Sequence, residues 1–167
     1  MQLIEFNQAS TEDALRFLKH CVQIPSWATD IIAQRPYASI DAVLAVAKQQ
    51  ATTWTWDEIK LALDNHPRIG EKKAQTELSE VEQGFSHREQ SAITPDEETQ
   101  LALIKGNQAY EKKYGHIFLI KAFGLTSEDV LQALKYRLVN DAETEKRIVH
   151  HQLAEIALLR LSQELQP

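Results

Sequence analysis

Residues able to cap a helix recur along this chain, each just ahead of apolar residues spaced three and four apart. Ser10, with Asp13 three residues on, opens a helix carrying Ala14, Leu15, Phe17, Leu18, Cys21 and Val22, which should end before Pro25. A short helix in SWATDIIAQ stops before Pro36, and Ser39 caps a helix with Val43, Leu44, Val46 and Ala47 inward. Thr55 and Glu58 form a capping box ahead of Ile59, Leu61, Ala62 and Leu63. Thr94-Pro95-Asp96-Glu97 opens a long helix through Leu101, Leu103, Ile104 and Tyr110, closed by Gly115. Thr126 or Ser127 caps a helix to about Asn140, and a last helix runs from Asp141 or Ala142 to about Leu165. From Arg68 to Thr94 the pattern is weaker and more polar, with two short candidate helices. The apolar run His116 to Gly124 is short for a helix and fits a strand or a buried extended link. The series predicts an all-α, single-domain bundle of about seven to nine helices over residues 1–167.

Composition narrows the function. The 167 residues suffice for one core without metal or disulfide. With 24 acidic against 18 basic side chains the net charge is -6, and no block of Lys or Arg could neutralise a row of phosphates. Nucleic acid is therefore not the expected partner. Cys21 is the single cysteine, which fits a reducing, cytoplasmic setting. MQLIEFNQASTED lacks the build of a secretory leader, and no apolar run approaches the roughly 18 residues of a membrane span. Trp27, Trp54 and Trp56 belong in the core or at its rim.

The chemistry-bearing residues gather between His66 and Gln90. In LALDNHPRIGE, Pro67 disfavours helix at the residue before it, so the helix through Leu63 should stop at or just before His66. That leaves an imidazole firmly held on one side and open on the other, which suits proton transfer and suits an ordinary turn as well. SEVEQGFSHREQ contains Ser-x-x-Glu-Gln twice, as Ser79-Glu82-Gln83 and as Ser86-Glu89-Gln90. Each copy is also a capping box. If the second opens a helix, Ser86 stands at an N-terminus whose free N–H groups attract anions. Glu89 then orients the imidazole, and Gln90 pairs with a ligand amide or urea. The six histidines include no pair at the four-residue helical spacing, and no phosphate loop or Gly-x-Ser-x-Gly elbow occurs, so metal, nucleotide and serine-hydrolase chemistry lack support. Arg160, bracketed by leucines, either lays its stem along the core edge with its head in water or points into a pocket toward a carboxylate.

Three collinear pieces, HPRIGE at 66–71, GFSHREQ at 84–90 and YEKKYGHIFLIKAFG at 110–124, together resemble the 2-oxo-4-hydroxy-4-carboxy-5-ureidoimidazoline (OHCU) decarboxylases. Arg137-Leu138-Val139-Asn140 and Arg160-Leu161 continue the likeness. The resemblance implies an all-helical, homodimeric, cofactor-free enzyme that acts on a small ureidoimidazoline and forms (S)-allantoin and carbon dioxide. It places the catalytic histidine on His66, with Pro67 lining the pocket. Ser86, Glu89 and Gln90 become the element that contacts the ligand and orients the histidine, with His87 and Arg88 between them. Glu89 is preferred to Glu82 because Phe85 precedes its serine. The resemblance further assigns the backbone of Phe118, Leu119, Ile120, Lys121 and Ala122 to the imidazoline ring and Arg160 to the site. The rival readings are another cofactor-independent lyase or hydrolase of a related ureido compound and a non-catalytic helical interaction domain.

Overall fold

The computed structural model describes residues 1–71 and 79–167. Among them are nine α-helices and no strand, only an isolated bridge between Gln2 and Gln166. In chain order they are α1 (Leu3–Gln8), α2 (Thr11–Cys21), α3 (Pro25–Ala33), α4 (Ile40–Ala51), α5 (Trp56–Leu63), α6 (Glu80–Glu89), α7 (Glu97–Tyr114), α8 (Ser127–Arg137) and α9 (Ala142–Glu164). None is long and apolar enough to cross a membrane. The all-α expectation agrees with this architecture. Helix α1 was not legible beforehand, being six residues with one buried side chain, Phe6. The second short helix expected between Arg68 and Thr94 has no counterpart among the described residues, and residues 72–78 lie outside them.

The chain forms two compact units. The first comprises Met1–Ala62 and Ala154–Pro167. Its apolar residues take the places their spacing dictates: Ala14, Leu18 and Cys21 on α2, Trp27 and Ile31 on α3, Val43 and Ala47 on α4 are all fully buried. Two tryptophans meet edge to face with centroids 6.3 Å apart, and each indole N–H is satisfied, Trp27 on the Ala47 carbonyl at 2.9 Å and Trp54 on Gln50 Oε1 at 3.0 Å. Leu61, counted with the apolar set of α5, is instead 69% exposed.

The second unit, Leu63–Leu153, is built around Ile69, Leu103, Tyr110, Phe118, Ala122, Val130 and Leu134. Helix α7 begins two residues later than the Thr94-Pro95 pattern implies. Asp96 is the N-cap, accepting the Thr99 N–H at 2.7 Å, so Pro95 stays outside the helix. Gly115 ends α7 in the left-handed region at φ +80°, as a C-terminal glycine should. The His116–Gly124 run is neither helix nor strand but a link with Phe118, Leu119 and Ala122 buried.

Candidate active site

Helix α5 ends at Leu63, three residues before His66 and earlier than Pro67 alone requires. A tighter turn follows, in which the His66 N–H donates to the Leu63 carbonyl at 3.0 Å. The imidazole is buried, and its Nδ1 stands 3.7 Å from Glu82 Oε1, with the two side chains 5% and 11% exposed. That distance is too long for a hydrogen bond, and the contact becomes an ion pair when the imidazole is protonated.

This carboxylate is the alternative weighed against the preferred Glu89. Between the two Ser-x-x-Glu-Gln copies the first opens the helix: Ser79 is the N-cap of α6 and its hydroxyl accepts the Glu82 N–H at 3.3 Å. Ser86 is therefore not at a helix N-terminus. It lies buried in the second turn of α6, its own N–H used within the helix, and cannot offer the anion-binding end expected of it. Glu82 is buried in the first turn, Glu89 is the last helical residue and half-buried, and Gln90 is the C-cap. Glu82 stands beside the imidazole, while the sequence reading prefers Glu89 for that part.

The loop carrying His66 is fastened at four consecutive points beyond Pro67, itself half-buried. Arg68 grips Glu111 of α7 through two parallel bonds, Nε to Oε2 and Nη2 to Oε1, both 2.9 Å. Ile69 is buried against Leu103, and its carbonyl accepts from Asn107 Nδ2 at 3.1 Å. The Gly70 N–H donates to Gln90 Oε1 at 3.0 Å, while Gln90 Nε2 donates to Ser86 Oγ at 3.0 Å. Glu71 accepts a second bond from Asn107 at 3.3 Å. Gly70 has φ +77°, which favours glycine, and a Cβ there would stand 2.9 Å from Leu103 Cδ1, so the leucine tip would have to shift. Ser86 and Gln90, expected on the ligand, thus brace the histidine loop.

His87 and Arg88 are exposed, with the Arg88 guanidinium 4.9 Å above the Phe85 ring. A cleft of about 400 Å³ lined by Gly70, His87, Gln90, Ile93, Pro95 and Gln100, among others, takes in two of the expected residues and neither His66 nor Glu82.

The 118–122 backbone is held by groups that spacing did not single out. Arg137 Nη1 donates to the Leu119 carbonyl at 2.5 Å, and Gln152 Oε1 accepts the Lys121 N–H at 2.8 Å. Arg137 is paired in turn with Glu145, which also accepts from Tyr110 at 2.5 Å. A signal existed: Val130, Leu134 and Arg137 recur at i, i+4 and i+7, as do Leu103, Asn107 and Tyr110, so a polar residue stands on each buried stripe.

Arg160 belongs to the first unit and is 1% exposed, its Nη1 donating to the Cys21 carbonyl at 3.4 Å. A stem on the core edge with a solvated head is not what the fold holds. Burial pushes the neighbouring Cys21 thiol up to about 12, against the opposing pull of the Arg160 charge. Among the described residues no three His, Cys, Asp or Glu side chains converge so as to hold a metal ion.

An all-helical chain presenting a buried His–Glu pair on a braced loop can now be set beside known proteins. The OHCU decarboxylase family model matches residues 7–162, and the chain belongs to that family. A uric acid degradation bifunctional protein of Bacillus sp. (strain TB-90) is 26% identical over 164 residues, 98% of this chain and 32% of that protein. The chain therefore spans about a third of that relative's length. A 2-oxo-4-hydroxy-4-carboxy-5-ureidoimidazoline decarboxylase of Haloferax volcanii is 24% identical over 131 residues, 78% of this chain and 76% of that one. In fold the chain is similar to a crystal structure of OHCU decarboxylase in the presence of (S)-allantoin, with TM-score 0.72, 22% identity, and 93% and 97% of the two chains covered.

Proposed function

We propose that this chain removes carbon dioxide from 2-oxo-4-hydroxy-4-carboxy-5-ureidoimidazoline to give (S)-allantoin, in the breakdown of urate. Family membership supports the reaction class, and the names of the relatives support the setting. The single observation that carries the chemistry is the buried His66–Glu82 pair on its fastened loop. In the reaction the bond from the ring carbon to the carboxylate breaks, carbon dioxide leaves, and the electron pair passes into the adjacent ring imine. One proton is then added to a single face, which sets the S configuration. The substrate's own imine accepts the electrons, so the protein's tasks are to bind, to exclude water and to manage that proton.

His66 takes the proton-transfer role, hydrogen-bonding the substrate hydroxyl, and Glu82 holds the imidazole and offsets charge that develops on it. Pro67 lines the site beside it. The backbone around Leu119 and Ile120 takes the ring amide groups, with Phe118, Lys121 and Ala122 as its flanks. Ser86 and Gln90 act through the Gly70 loop, and ligand contact by His87, Arg88, Glu89 and Arg160 rests on the family resemblance alone. A cytoplasmic homodimer that needs no cofactor completes the reading, with sedimentation velocity as the check on its assembly. The deciding experiment supplies freshly generated substrate and follows circular dichroism as allantoin forms. Growth of the (S) signal faster than the uncatalysed decay is expected; racemic allantoin at the uncatalysed rate would refute the assignment.

A further inference from the structure

Residues 118–122 form no helix or strand, yet they are pinned at two alternate backbone groups. The Leu119 carbonyl accepts from Arg137 at 2.5 Å, and the Lys121 N–H donates to Gln152 at 2.8 Å. The Ala122 carbonyl closes a turn with the Leu125 N–H at 2.9 Å. Among the described residues the N–H and C=O of Ile120, and the N–H of Leu119 and of Ala122, make no hydrogen bond. Between the two pins, then, stands one residue whose donor and acceptor are both open. An amide or urea edge needs that combination.

The pin at Leu119 is an expensive construction. Arg137 and Glu145 are 6% and 0% exposed. Arg137 Nε donates to Glu145 Oε1 at 2.6 Å, and Nη2 pairs with the same oxygen. Asn140 supplies Glu145 Oε2 at 3.1 Å, and Tyr110 donates to Oε1. The guanidinium carbon lies 4.5 Å from the centre of the Phe118 ring. A buried ion pair of this kind is a weak source of stability, because well-packed apolar residues of similar volume often serve as well. What apolar residues could not do is donate to the Leu119 carbonyl.

We propose that Arg137, held by Glu145, is a positioning residue for substrate binding: it fixes Leu119 so that the open N–H and C=O of Ile120 meet the amide edge of the imidazoline ring. The inference rests on the decarboxylase reading. Its test uses the double variant Arg137→Met with Glu145→Met, which removes both charges together, and Arg137→Lys, which keeps a charge without the planar fork. Each is compared with wild type for kcat, KM and amide exchange over residues 117–123. The expected result is a KM raised about tenfold, roughly one lost backbone hydrogen bond in the site, with kcat within about threefold and faster exchange at Leu119 to Ala122. Arg137→Lys should recover part of the affinity. Unchanged KM and exchange in either folded variant would overturn the proposal, as would losses that follow melting temperature alone. If wild type itself fails to make (S)-allantoin, the functional reading falls and KM loses its meaning. The exchange rates then decide whether Arg137 positions the link.

Discussion

At the residue scale the roles of His66 and Glu82 part company with mere packing. His66→Asn keeps a polar group of similar reach at the same turn but cannot shuttle a proton near neutrality. Turnover should fall at least about 10²-fold, the lower end of what an acid–base group contributes, with the melting temperature little changed. Near-normal turnover would place the proton transfer on another group. Glu82→Gln should be severely impaired because the amide cannot offset an imidazolium 3.7 Å away, while Glu89→Gln at the end of α6 should be the milder change. The opposite order would restore the second copy of the motif. The ambiguity has a plain origin: Glu82, Phe85, Ser86 and Glu89 are spaced i, i+3, i+4 and i+7 and share one helical stripe. His66 was legible because Pro67 acts locally, whereas the partner depended on where α6 starts. Arg160 carries a separate test. Its guanidinium is buried, so Arg160→Lys must fit a strongly hydrated ammonium into the same space. If Arg160 grips a planar ligand group, KM should rise more than stability falls; a lower melting temperature with unchanged KM would assign it to the fold.

At the element scale, caps decide where function is placed. Ser79 opens α6 and sets Glu82 in its first turn, so Ser79→Ala should lower stability by about 1 kcal/mol, or roughly 2–4 °C in a protein of this size. Turnover should fall with it, because the turn that loosens carries the imidazole's partner. Ser86→Ala breaks a different part, leaving Gln90 without its acceptor and slackening Gly70. A Ser79→Ala protein with full activity and an unchanged melting curve would separate the cap from the site. The helices themselves were largely readable, since α2, α4 and α8 begin at the caps their sequences display. The start of α7 was misread by two residues because Thr94 and Asp96 both qualify as caps, and Pro95 suits the first helical position. The 116–124 link was undecidable locally: its conformation is held by Arg137 and Gln152, both distant in sequence.

At the scale of the whole molecule, periodicity was sufficient for an all-α architecture because apolar stripes decide which faces are buried whatever the order of packing. Periodicity sets Tyr110 and Arg137 on buried stripes but says nothing of the network they form by pairing with Glu145, which comes from another helix. That network has a consequence for pH. Burial holds His116 below its ordinary 6.5; its contact with the Ile117 carbonyl and the charge of Glu145 oppose this, while Arg137 and Lys146 add to it. The unfolded chain therefore takes up this proton before the folded one as the pH falls. The contribution of neutral His116 is complete above about pH 6.5 and is lost as the pH drops from there toward the folded value. The capping carboxylates Asp96, Asp129 and Asp141 lie below their ordinary 3.8, chiefly through backbone N–H bonds from Thr99, Thr126 and Thr144. Their contribution is complete above about pH 3.8 and is lost below it, so acid should weaken the protein in two separate windows. The upper window can be isolated by comparing urea midpoints of wild type and His116→Asn at pH 5, 6, 7 and 8, since titrations common to both cancel in the difference. Wild type should lose more of its midpoint than His116→Asn between pH 7 and 5, at equal m-values. Parallel curves would show that His116 titrates alike in the folded and unfolded chains, and the acid sensitivity would then belong to the caps alone.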